Sequence, residues 1–181
     1  MATSRLPNIE SFHTLSLGEQ LGAIDLLFEP SPALHALVLG TLSIKPFTSY
    51  THLIQHIRSC VATLLSSPSS QANLHAILGS HPRLGAGKVD SAQSAAEQAR
   101  LQQGREEERA QLAKLNEEYE ARFPGLRYVV FVDGRGRPEI MDDMRARIEV
   151  GDLKAEECTA IQVSRLYCDV NTVGVQSIVF L

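Results

Sequence analysis

The chain has 181 residues, 44% of them hydrophobic and 21% charged, the balance of one compact domain long enough to bury a core. No apolar run approaches the roughly 20 residues a spanning helix needs, and the N-terminus lacks a secretory layout, so a soluble intracellular protein with no membrane partner is expected. A net charge of -4 without a basic stripe argues against nucleic acid as a partner, and three cysteines without CxxC pairing suggest neither a disulfide framework nor a zinc site.

Leu17, Leu21, Ile24, Leu27 and Phe28 recur at spacings of three and four behind Ser16 and Glu19, which are placed as a capping box. This predicts a first helix ending at "EPSP", residues 29–32, because each proline disfavours helix in the residue before it. Leu53, Ile54, Ile57, Val61, Leu64 and Leu65 make a second stripe, closed by "SSPSSQ". A short apolar segment, residues 74–78, leads through Gly79 into "SHPRLGAG". The Ala, Glu, Gln, Leu and Arg content of residues 94–119 predicts a long helix, with "GREEER" at 104–109 as a solvated face. Helix is expected again over 139–148 and over 153–162, with periodicity lost from Val163.

"LRYVVFVDGRGRP", residues 126–138, reads as a strand leading into a turn. A single strand lacks a partner. Either it pairs with the tail segment "SIVFL", or it lies extended among helices and its backbone groups are met by side chains or a ligand.

Candidate chemistry is sparse. His81 precedes Pro82, which favours an extended backbone, and Gly85 and Gly87 allow a tight approach, yet one histidine of six in a turn is unremarkable by itself. His52 and His56 are four apart but lack the carboxylate of an HExxH pair, so surface or half-buried side chains are the expectation and no metal is assigned. Ser94 and Glu97 form a capping-box pattern, which explains them structurally; the same helix start also suits a polar, anionic ligand. Arg147 reads as a surface or ion-paired residue.

Taken in order, "LLFEPSP", "HPRLG", "SAAEQ" and "LNEEYEARFPGLRYVVFV" resemble the 2-oxo-4-hydroxy-4-carboxy-5-ureidoimidazoline (OHCU) decarboxylases of urate catabolism. "RIEVGD" sits where that family has an Arg-Leu or Arg-Ile helix end, and the likeness covers roughly residues 10–162. It implies an all-α, single-domain compact bundle with one extended segment at about 127–132, and decarboxylation to (S)-allantoin without a cofactor. By motif, His81 would be the proton donor, near an ordinary histidine pKa of about 6.5, and Glu97 would orient it or accept substrate N–H groups. Pro82 would shape the pocket wall. Ser94 and Gln98 would bind polar atoms of the substrate, and the backbone of Val130, Phe131, Val132, Asp133 and Gly134 would bond the ring. The resemblance also implies a homodimer in the peroxisome or cytoplasm.

The similarity stops at Gln162, which divides the chain into a decarboxylase-like domain, 1–162, and an atypical tail, 163–181. The family's further functional arginine falls here near Asn171, and no arginine follows Arg165. That departure sets a second reading beside the enzyme: a catalytically impaired relative acting as a ligand-binding or interaction module.

Overall fold

The computed structural model describes residues 6–42, 46–85, 106–132 and 134–173, without the side chains of 106–107 and 164–173. Within these, seven α-helices follow one another: α1 Leu17–Asp25, α2 Pro32–Val38, α3 Tyr50–Thr63, α4 Gln71–Leu78, α5 Glu106–Arg122, α6 Arg137–Val150 and α7 Leu153–Val173. The fold is all-α, and no strand occurs among the described residues.

The helix starts follow from local chemistry. Glu19 accepts the Ser16 backbone N–H at 2.9 Å and Ser16 Oγ accepts the Glu19 N–H at 3.4 Å, closing the capping box expected for α1. Helix α1 stops at Asp25, so Leu27 and Phe28 lie beyond it and its end falls ahead of the expected "EPSP", which instead begins another helix. Ser31 Oγ accepts the Leu34 N–H at 3.3 Å, and Pro32 occupies the first turn of α2, where its missing N–H costs nothing. Asp152 caps α7 by accepting the Ala155 N–H at 3.1 Å.

Helix α3 is the centre of the bundle. Its Leu53, Ile54 and Ile57 are fully buried, each side chain contributing roughly 1.5–3 kcal/mol by leaving water. It packs chiefly against α7 and also against α2, while α5 packs against α6 and α4 touches both α2 and α7. Leu65, counted with the α3 stripe, is instead exposed. Residues Leu64–Ser66 tighten into a 3-10 turn, whose three-residue period swings Leu65 off the apolar face.

A further expectation differs from what is observed, and at residues 127–132 the second of the two alternatives holds. Helix α7 does not stop at Gln162 but continues through Val173, because backbone hydrogen bonding propagates where neither proline nor glycine interrupts it. Residues 127–132 form neither helix nor strand. Their carbonyls are met by side chains: Arg147 Nη1 donates to Val129 O at 3.3 Å, and the Arg135 guanidinium donates to Phe131 O and Val132 O. The tail "SIVFL" lies outside the described residues, as do the first two residues of "GREEER", 104–105.

Candidate functional site

The site is built around the loop that follows α4. Gly79 N–H donates to His75 O at 2.8 Å, and Ser80 caps with both its N–H and its Oγ on Ile77 O, so the chain leaves the helix sharply and His81 turns inward. His81 is buried, Arg83 faces outward and Leu84 is buried again.

Three contacts hold this loop on α5. Arg83 makes a paired bond to the Glu120 carboxylate, at 2.6 and 2.5 Å, and Arg127 meets the same Oε2 as Arg83 Nη2, also at 2.5 Å. Asn116 Nδ2 donates to Leu84 O at 2.9 Å. Gly85 has φ +75°, and a Cβ on it would stand 2.7 Å from Leu112 Cδ2, so only glycine lets the loop sit this close to α5. The Pro-Gly of "FPGL" serves the same region: Gly125 packs so tightly on α4 that a Cβ would lie 2.8 Å from His75 Nδ1.

His81 lines a cavity of ≈ 40 Å³. Its described wall is largely apolar, with Phe28, Leu34, Ile57, Val61, Ile77 and Ile161 contributed by five segments distant in sequence. Four polar residues complete it: Glu29, Arg58, Ser80 and His81. Glu29 is only 4% exposed, so the cavity carries a buried carboxylate as well as a guanidinium. Sequence reasoning missed both of these. The available signal was a charged residue embedded among apolar neighbours, Glu29 after Phe28 and Arg58 beside Ile57 and ahead of Val61.

The protonation state of His81 corrects the expectation of an ordinary histidine. Burial, which penalises the charged ring, pushes its pKa down to about 3. The imidazole is neutral at neutral pH. It therefore enters any reaction as a group that must first accept a proton or donate from the neutral ring.

The other anticipated residues are distributed unevenly. Pro82 is half-buried beside His81 but is not part of the described cavity wall. Val130 is buried, Phe131 and Val132 are half-buried, and all three lie on the extended segment rather than on that wall. Gly134 is exposed in a turn closed by the Arg135 N–H on Val132 O at 2.8 Å. Ser94, Glu97, Gln98 and Asp133 lie outside the described residues. His52 is exposed and His56 half-buried, as expected, and no group of metal-ligating side chains occurs among the described residues.

Arg147 is ion-paired, as its position suggested. It meets Asp143 at 2.8 Å and Glu156 at 3.1 Å, and stacks over the Tyr128 ring. Tyr119 OH donates to Glu156 at 2.6 Å and Tyr128 OH to Asp143 at 2.5 Å. Burial, reinforced by these carboxylates, raises both phenol pKa values, so the tyrosines are firm donors. For Arg147, burial alone would lower the pKa; Tyr128, Glu156 and Asp143 outweigh it and raise it. A second cavity of ≈ 260 Å³ borders this network, but its Asp143, Arg147 and Glu156 are bonded to one another. The network is a structural tie between α6, α7 and the extended segment.

An all-helical domain that clamps a histidine loop onto one helix and turns the imidazole into a cavity with opposite charges has the makings of a small-molecule enzyme. The model of the OHCU decarboxylase family matches residues 13–165, and the chain belongs to that family. Membership places it among decarboxylases of purine catabolism. A search of curated proteins finds no significant match.

Proposed function

We propose that this chain converts 2-oxo-4-hydroxy-4-carboxy-5-ureidoimidazoline to (S)-allantoin without a cofactor. The observation that carries the reading is the placement of a neutral, buried His81 on a cavity that also holds Glu29 and Arg58. Loss of carbon dioxide from the carbon bearing the carboxylate and hydroxyl sends its electron pair into the adjacent ring C=N. The ring nitrogen takes a proton from solvent, and an enol remains. His81 accepts the enol hydroxyl proton as the carbonyl forms and returns a proton to the neighbouring carbon on one face, which fixes the hand of the product.

Within this proposal Glu97 orients the imidazole or receives substrate N–H groups, and Ser94 and Gln98 bind polar atoms. The test supplies substrate freshly from urate with urate oxidase and hydroxyisourate hydrolase and follows optical activity. Fast appearance of one allantoin enantiomer is expected. Racemic product at the spontaneous rate would refute the proposal and leave the non-catalytic relative as the reading.

A further inference from the structure

We propose that His75 and Glu157 form a positioning pair that fixes where His81 lies in its cavity. For its kinetic consequences this rests on the decarboxylase reading. His75 stands on α4, whose end carries Ile77 and Leu78 into the cavity wall ahead of Ser80 and His81. Glu157 stands on α7, one turn before Ile161, which lines the same cavity. Gln71 Nε2 donates to Glu157 Oε1 at 3.3 Å, which makes that oxygen an acceptor, and His75 Nε2–H donates to it at 2.6 Å. The bond thus joins the helix that delivers the histidine loop to the helix that delivers Ile161. Both side chains are largely shielded from water, Glu157 the more so.

A buried carboxylate that loses a donor is costly, so Glu157 holds the imidazole, and α4 with it, in one place. The ring also bears on the Pro-Gly turn: a Cβ on Gly125 would stand 2.8 Å from His75 Nδ1, and a Cβ on Gly79 would stand 2.6 Å from Gly125 O. His75 O meanwhile accepts the Gly79 N–H at 2.8 Å, the bond that closes α4 just ahead of His81. His75 is therefore held by α7 and by the turn through its ring, and passes that placement to the loop through its carbonyl. The contacts at Gly79 and Gly125 leave no slack, so a displaced ring moves His81 instead of being absorbed locally. A reacting group shifted by about an ångström loses much of its rate while binding contacts made elsewhere persist, so kcat carries the effect more than KM.

The experiment compares the wild type with His75→Leu, which removes the donor, with His75→Gln, which returns an N–H near the place of Nε2, and with the double variant His75→Leu/Glu157→Leu, which removes both polar partners. In His75→Leu, kcat is expected to fall roughly ten- to hundredfold with KM within about threefold of the wild type, and His75→Gln should recover most of that loss. The double variant should regain the melting temperature that His75→Leu loses, because no buried carboxylate is left unmet, while its kcat stays low. A merely structural bond would restore both together. In parallel, NMR spectra of protein carrying isotope-labelled histidine report the His81 ring, assigned by its loss in His81→Asn; its signal should shift in His75→Leu and return in His75→Gln. An active wild type whose kcat survives His75→Leu overturns the proposal, as does a double variant in which kcat recovers with the melting temperature, or a His81 signal that does not move in His75→Leu. A wild type that fails to turn over while the His81 signal still follows the substitutions at His75 removes the decarboxylase reading alone. Should His75→Leu not fold, the double variant decides by its kcat and its His81 signal.

Discussion

Asn116 donates its side-chain amide to the carbonyl of Leu84 at 2.9 Å, tying the middle of α5 to the loop that presents His81. The same nitrogen donates to Leu112 O at 2.9 Å, so the Asn of "LN" is spent on holding backbone rather than on solvent. Asn116→Leu keeps the volume but leaves the buried Leu84 carbonyl unmet, a loss of about 1–3 kcal/mol. Thermal denaturation should register that loss. Since the loop also sets where the imidazole lies, kcat should fall several-fold more than KM rises; equal kcat in the variant and the wild type would show that the loop holds without this bond.

Glu120 fastens the outer side of the same loop between Arg83 and Arg127. Burial raises its pKa, but the hydrogen bond to Arg83 and the charge of Arg127 more than offset this and hold it below the usual carboxylate value. The stability it lends is therefore present above the unfolded value and is lost as pH falls through the lower folded one. Glu120→Gln should leave the melting temperature nearly insensitive to this titration and should lower kcat, because Arg83 and Arg127 lose their shared anchor. Denaturation curves collected across the acid range for both proteins make the comparison.

Much of the scaffold could be read from short spans of sequence, because its signals are local. The α1 capping box and the α3 stripe involve residues within a few positions of one another, and both appear in the structure, the stripe without Leu65. Helix α2 is hidden because a proline signals the end of a helix more plainly than its start, whereas Pro32 sits where a helix tolerates it and Ser31 supplies the cap. The continuation of α7 was hidden for the opposite reason: apolar periodicity fades after Gln162, yet nothing before Gly174 breaks the backbone pattern. At the site, the motif "HPRLG" announced His81, and only tertiary packing brings Glu29 from the connection between α1 and α2 and Arg58 from α3 to the same cavity. No spacing rule links residues 29, 58 and 81. The burial that lowers the His81 pKa is likewise a property of the assembled helices.

The depressed pKa of His81 has a measurable consequence. The folded ring stays neutral down to about 3, while an unfolded histidine protonates near 6.5, so acid favours the unfolded chain throughout that interval. The contribution to stability is complete above about 6.5 and declines as pH drops towards 3, by at most about 5 kcal/mol. His81→Asn should flatten the pH dependence of unfolding free energy between those limits relative to the wild type while abolishing turnover. If both proteins lose stability in parallel from pH 6.5 to 4, the ring is not held neutral.

The network around Arg147 tests how the extended segment is supported. Its guanidinium bridges Asp143 and Glu156 and donates to Val129 O, so one side chain joins α6, α7 and residues 127–132. Arg147→Met removes the cation but leaves two carboxylates facing a mostly buried space, and a loss of about 3–5 kcal/mol is expected for breaking such a pair from one side. Adding Glu156→Gln to that variant relieves one unpaired charge and keeps an acceptor for Tyr119 OH, which donates to Glu156 in the native protein at 2.6 Å. The double variant should then be more stable than Arg147→Met alone, although each single change destabilises. Urea denaturation of the four proteins gives the coupling free energy, and a strictly additive cycle would mean that Arg147 and Glu156 do not act as a unit.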